Sequence, residues 1–179
     1  CAEADVIVLM VVNAAQAATV LFDDGALGAA PAEAIICLTA TCPPQQVAAI
    51  AARVAETGRR FIDCPVSGGV VGATAGSLTI MAAAPPAHFE TALPVLSAMG
   101  SRTLHVGNTP GQGATVKTVN QLLCGVHIVV AAEALSLAER IGVDTGRMLD
   151  ILTETSAGSW MLRDRGPRMI EADPEVTSA

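Results

Sequence analysis

Residues 111–121 read GQGATVKTVNQ and contain Lys117, the only lysine in a chain whose ten lysine and arginine residues are otherwise all arginine. Arginine stays protonated at any working pH, whereas an amine withdrawn from water can give up its proton. A site that exchanges a proton with its substrate can therefore use lysine and not arginine. In an apolar cleft an amine moves from a pKa of about 10.4 toward about 7–8, where a general base is effective. If a helix begins near Gly113, then Lys117, Asn120, Gln121 and Cys124 fall at i, i+3, i+4 and i+7 and share one face. The alternative is an ordinary solvent-facing lysine, the commonest kind.

A second stretch, DCPVSGG (Asp63–Gly69), comes directly after an expected strand. Ser-Gly-Gly at a strand end offers a hydroxyl and open backbone amides, because glycine lets a ligand approach the main chain closely. The competing reading is a surface turn. VVNAAQ (11–16) and TATCPP (39–44) end two earlier apolar runs. In a doubly wound sheet such loops face one crevice, where Asn13, Gln16 and Thr41 could hydrogen-bond a cofactor. Helix capping is the alternative, for Asn13 and Thr41 especially. His88, His105 and His127 have no spacing that suggests a metal site, and none is expected. The sequence contains no H-E-x-x-H, G-x-S-x-G, Walker or G-x-G-x-x-G pattern.

The elements that must position these residues follow from periodicity. Val6–Val12 and Ala34–Leu38 are apolar runs of strand length, Arg60–Asp63 is a third strand, and Ser77–Ala82 and Thr103–Val106 are further strand candidates. Between them lie helical stretches at Ala14–Phe22, after Pro43-Pro44 as far as Gly58, and at 88–100. Strands alternating with helices imply an α/β fold, a Rossmann-type parallel sheet covered on both faces. The character changes near Gly107. Thr115–Ile141 keeps helical spacing without proline, a helix of roughly 40 Å at about 1.5 Å per residue. Asp144–Thr155 and Ser159–Ala172 suggest two more helices. The expected layout is a dinucleotide-binding layer over 1–107, then a long interdomain helix and the start of a helical dimerisation domain over 108–179.

Composition limits the partners. The chain is 51% hydrophobic, with 2% aromatic residues and a net charge of −7. Few aromatic faces and an acidic balance argue against a nucleic-acid partner. The longest unbroken apolar run, VIVLMVV (6–12), is far short of a membrane span, so no membrane partner is expected. Five cysteines without a C-x-x-C pair suggest reduced, packing thiols and a cytoplasmic setting. A start at Cys1, inside a strand approach, suggests a fragment.

D-x-P-V-S-G-G followed about fifty residues later by G-x-G-x-x-x-K-x-x-N resembles the β-hydroxyacid dehydrogenase family, which includes 3-hydroxyisobutyrate and 6-phosphogluconate dehydrogenases. The resemblance covers essentially the whole chain. It implies an NAD- or NADP-dependent oxidoreductase, NAD favoured, that moves a hydride between the nicotinamide and a small hydroxy acid. VVNAAQ, SAGSWM (156–161) and K-x-x-N-Q-L-L-x-G-V-H look most like the L-threonate type, 3-hydroxyisobutyrate being the other substrate type. By resemblance Lys117 is catalytic; Ser67, Gly68 and Gly69 hold the substrate's carboxylate end; Asn120 and Gln121 touch its hydroxyls; and Val11, Val12, Gln16 and Thr41 lie along the nicotinamide and its ribose. The family usually has Asn where Gln121 stands, and threonate-type members carry Gln. The resemblance also implies a homo-oligomer formed through the helical domain. The glycine-rich unit for the pyrophosphate is expected before Cys1, so the fragment alone should be inactive. Two alternatives stay open: a reductase of a small aldehyde acid such as succinic semialdehyde or glyoxylate, and an inactive fragment that keeps the fold.

Overall fold

A computed structural model describes residues 1–171. The chain forms two compact units, Cys1–Thr118 and Val119–Ala179.

The first unit is built on one six-stranded sheet. Strands β1 (Val6–Leu9), β2 (Ile35–Leu38) and β3 (Arg60–Asp63) run parallel, in register Val6 to Ile35 and Ile35 to Arg60. All four residues of β2 are buried, as a continuous apolar run in the middle of a parallel sheet requires. The expected parallel sheet is thus present in β1–β3, and the sheet then reverses. β5 (Thr79–Ala83) pairs antiparallel with β3 at Asp63–Ala83, β4 (Val66–Ser67) pairs antiparallel with β5, and β6 (Arg102–Gly107) runs parallel to β5.

Helix α1 (Ala14–Ala18) is capped by Asn13, whose side chain accepts a hydrogen bond from the Gln16 amide at 2.9 Å. The expected single helix to Phe22 changes instead into a π-helical turn over Thr19–Asp23, and α2 (Ala26–Ala29) follows. Pro44 occupies the first position of α3 (Pro44–Ala55), where its missing N–H is no loss. The chain leaves α3 through Gly58 at φ +78°. Val47, Ile50 and Val54 of α3 pack with Leu21, Ile36 and Leu38 in one core beneath the sheet. Ala92 and Leu96 of α5 (Pro86–Met99) join Cys37, Ile62 and Ile80 in a second core on the other face. Between Gly68 and Gly76 the chain forms a short helix, α4 (Gly69–Thr74).

The long helix α6 (Gln112–Arg140) crosses from the first unit into the second, where α7 (Thr145–Glu154) and α8 (Trp160–Met169) follow it. Asp144 and Ser159 cap α7 and α8 through side-chain bonds from the amides of Arg147 and Leu162. The expected end of the last helix at Ala172 lies outside the described residues. Ala131, Leu135, Leu149 and Leu162 form the small core of this unit. By length and composition α6 is apolar enough to cross a membrane, with a mean hydropathy of 1.7 over its best 18-residue window, of which 17% is buried. Unbroken runs in the sequence do not single it out, because polar residues such as His127 and Glu133 interrupt its apolar positions.

All five cysteines are free, and Cys37, Cys42 and Cys64 are buried. A hydrogen bond with Cys37, reinforced by burial, pushes the Cys64 thiol well above its ordinary value; burial, then the nearby Asp63 charge, raises that of Cys42. Thiols react as thiolates. These three cysteines should therefore resist alkylation in the native protein and label only on unfolding, as mass spectrometry of pulse-alkylated samples would reveal; rapid native labelling of Cys64 would contradict this packing.

Candidate functional site

The carboxyl edge of the parallel strands is tied together by main-chain bonds. The Thr39 amide and hydroxyl both donate to the Leu9 carbonyl at 2.9 Å, joining the ends of β1 and β2. The Cys64 amide donates to the Leu38 carbonyl at 2.9 Å, joining β2 to β3, and the Met81 amide donates to the Pro65 carbonyl at 3.0 Å, joining β5 to the loop after β3. The predicted residues Val11, Val12, Thr41 and Ser67 all follow strand ends fixed in this way.

The first turn of α6 is seated on the same edge. The Asp63 Oδ2 accepts the amide of Gly111 at 2.8 Å and that of Ala114 at 2.9 Å. A Cβ on Gly113 would lie 2.5 Å from the Met81 carbonyl oxygen and 2.8 Å from that of Asp63, so only glycine fits there. Gly111 has φ +100°, and a Cβ on it would meet the Pro44 carbonyl at 3.1 Å. The helix therefore starts in direct contact with the end of β3, with β5 and with the first turn of α3. Gly111, Gly113, Ala114 and Lys117 form the buried side of these turns, while Gln112, Thr115, Val116 and Thr118 are exposed. Lys117 is only 6% exposed. A solvent-facing lysine, the commonest kind, is excluded by that burial.

The other predicted residues are placed as follows. Ser67 lies in β4 opposite Thr79, half-buried. Gly68 and Gly69 have φ of +134° and +61°, and a Cβ on Gly69 would meet nothing within 4 Å, so its backbone is open to a ligand. Thr41, Val12 and Gln16 are exposed and Val11 is half-buried. Asn13 caps α1, and the Gln16 side chain accepts the Val12 amide at 3.0 Å, so both carry a local structural bond. Asn120 and Gln121 belong to the second unit, on the same helix as Lys117; the Cys124 thiol lies 3.7 Å from Asn120 Oδ1.

Sequence reasoning gave Asp63 no role of its own. It is 1% exposed, and burial pushes its carboxyl above the ordinary carboxylate value, against the lowering effect of the Ala114, Gly111 and Gly113 amides. Folding thus raises this carboxyl's affinity for a proton relative to the unfolded chain. This contribution to stability is intact below the unfolded value, near 3.9, and is lost as pH rises through the folded one.

The residues present fit the nicotinamide end of a dinucleotide. Val11 and Val12 give apolar surface beside a strand end, and Thr41 gives an exposed hydroxyl on the neighbouring loop.

Comparison with known proteins gives a consistent picture. Residues 1–107 match the NAD-binding domain of 6-phosphogluconate dehydrogenase, and residues 111–178 match the NAD-binding family of NADP-dependent 3-hydroxyisobutyrate dehydrogenase. The L-threonate dehydrogenase of Cupriavidus necator is 39% identical over 176 residues, covering 98% of this chain and 59% of that protein. A crystal structure of 3-hydroxyisobutyrate dehydrogenase from Salmonella typhimurium superposes with a TM-score of 0.90 at 38% identity, covering 94% of this chain and 59% of that one. A structure of Psf3 with NADP+ and 2-OPP superposes with a TM-score of 0.84 at 26% identity, covering 90% and 57% of the two chains. The chain thus spans under two thirds of the length of each of these relatives.

Proposed function

The chain belongs to the β-hydroxyacid dehydrogenase family, and we propose that the whole protein is an NAD(P)-dependent oxidoreductase acting on a small hydroxy acid of the L-threonate or 3-hydroxyisobutyrate type. The observation that carries this reading is the only lysine, buried in the second turn of α6, one turn beyond Gly113, which packs against the carbonyls of Asp63 and Met81. We assign residues 1–107 to the nucleotide-binding layer and 108–179 to the long helix and the start of a helical domain.

The chemistry follows from the residues. Ser67 and the backbone of Gly68 and Gly69, open at Gly69, bind the substrate carboxylate, and Asn120 and Gln121 bind its hydroxyls. The Lys117 amine takes the proton of the reacting hydroxyl as the hydride leaves the same carbon. In the reverse direction its ammonium donates to the carbonyl oxygen and stabilises the developing negative charge. A bound nicotinamide supplies the hydride acceptor. Val11, Val12, Gln16 and Thr41 hold its ring and ribose, NAD being favoured over NADP. Free thiols at all five cysteines suit a reducing, cytoplasmic setting.

Initial rates of the full-length protein against L-threonate, 3-hydroxyisobutyrate and small aldehyde acids, each with NAD and NADP, test the reading. A marked kcat/KM preference for one hydroxy acid is expected; no turnover with any of them would refute it.

We assign the apolar exposed surface of α6 to a contact between copies of the protein. Leu122, Leu123, Val126, Val129 and Val130 are all about half exposed or more. Burying each such side chain stabilises by roughly 1.5–3 kcal/mol, so leaving them in water is costly. The full-length protein should sediment as an oligomer, and a Leu122→Glu/Val129→Glu double variant should shift it toward monomer. Sedimentation as a monomer, or partition of the unmodified protein onto lipid vesicles, would contradict this.

A further inference from the structure

We propose that Asp63 is the positioning residue for Lys117: its carboxylate fixes the first turn of α6 so that the amine one turn later meets the substrate. The inference rests on the dehydrogenase reading above and adds a residue to it.

Four observations carry it. Asp63 Oδ2 takes the amide of Gly111, the residue before α6, at 2.8 Å and that of Ala114 in its first turn at 2.9 Å, which fixes both the start and the rotation of the helix about its axis. Ala114 precedes Lys117 by three residues, so the bonded amide and the amine lie on neighbouring turns of one side. The contact is close on every side, because Gly113 admits no Cβ between the Met81 and Asp63 carbonyls. Finally, Asp63 ends the buried strand β3, itself hydrogen-bonded into the sheet, so it is a rigid reference point rather than a loop side chain. The first amides of a helix have no partner within it, and a fixed acceptor that meets two of them sets where the helix lies.

The carboxylate does not reach the substrate in this account. Its loss should therefore act on the chemical step more than on binding, which Ser67, Gly68 and Gly69 provide. A displacement of about 1 Å in a catalytic group can cost about 10²-fold in rate.

The test uses the full-length protein in three variants. Asp63→Ala removes the acceptor and should lower kcat by about 10- to 100-fold with KM within a few-fold of wild type. Asp63→Asn keeps a carbonyl oxygen that can accept both amides and should restore most of kcat. Leu96→Ala, which opens the core beside α5, serves as a destabilised control and should keep its kcat once corrected for folded fraction. Hydrogen exchange of residues 111–117 is read in parallel, with faster exchange expected in Asp63→Ala and not in Asp63→Asn. That readout needs no turnover, so it judges the positioning role even if the wild type oxidises no hydroxy acid. Wild-type kcat and exchange in Asp63→Ala, or equal losses in Asp63→Ala and Asp63→Asn, would overturn the proposal.

Discussion

Lys117→Arg in the full-length protein should lower kcat by about 10²–10⁴-fold while leaving substrate affinity nearly intact. The positive charge persists, and the carboxylate contacts proposed for Ser67, Gly68 and Gly69 do not involve it. What disappears is the ability to take a proton, because a guanidinium does not deprotonate in proteins. The buried position adds a steric demand: Lys117 is 6% exposed on the side of α6 that carries Gly113 and Ala114, so a bulkier planar head must be accommodated against packed backbone. Stopped-flow single turnovers separate the two effects, since a proton-transfer defect slows the burst and a packing defect weakens binding. A variant with wild-type kcat would show that the amine takes no proton.

The second large effect is expected at Gly113. In an open helix, replacing glycine with alanine stabilises by roughly 1 kcal/mol. At Gly113 the added Cβ would sit 2.5 Å from the Met81 carbonyl and 2.8 Å from that of Asp63, both of them backbone atoms inside the sheet. Neither can move without disturbing β3 or β5, and overpacking of this kind typically costs about 1–3 kcal/mol. The repulsion exceeds the helix gain, so Gly113→Ala should destabilise and, by lifting α6 from the strand ends, also reduce kcat. Gly28 in α2 is the contrast: it is exposed, a Cβ there meets nothing within 4 Å, and Gly28→Ala should be neutral or stabilising by up to about 1 kcal/mol. Thermal unfolding of both variants reads the difference, and a Gly113→Ala protein as stable as Gly28→Ala would contradict the seating of the helix.

The alternation of strands and helices was legible because burial imposes a pattern. β2 is a short apolar run, and the bounds Arg60–Asp63 expected for the third strand match those of β3. The reversal at β5 was not legible, since an antiparallel partner changes hydrogen-bond direction and leaves the side-chain pattern unaltered. Lys117 stood out by being unique, yet its burial could not be read from a polar residue on a helix. In the sequence Asp63 reads as the first letter of a turn motif. The available signal was an acid closing the run Phe61–Ile62, where a charge is expensive unless it has partners. Those partners lie 48 and 51 residues away, beyond the reach of any local pattern. Asn13 could be either a cap or a ligand contact, because both uses present the same side chain at a strand end; in the fold it caps α1.

The most direct test of the central claim is chemical rescue of Lys117→Ala in the full-length protein. Truncation leaves a space where the buried amine stood, and small primary amines can occupy it. The account predicts loss of turnover to about 10⁻²–10⁻⁴ of wild type, partly restored by added methylamine or ethylamine, with the rescued rate following amine basicity as general-base catalysis requires. Turnover of Lys117→Ala within a few-fold of wild type, unaffected by added amine, would contradict it.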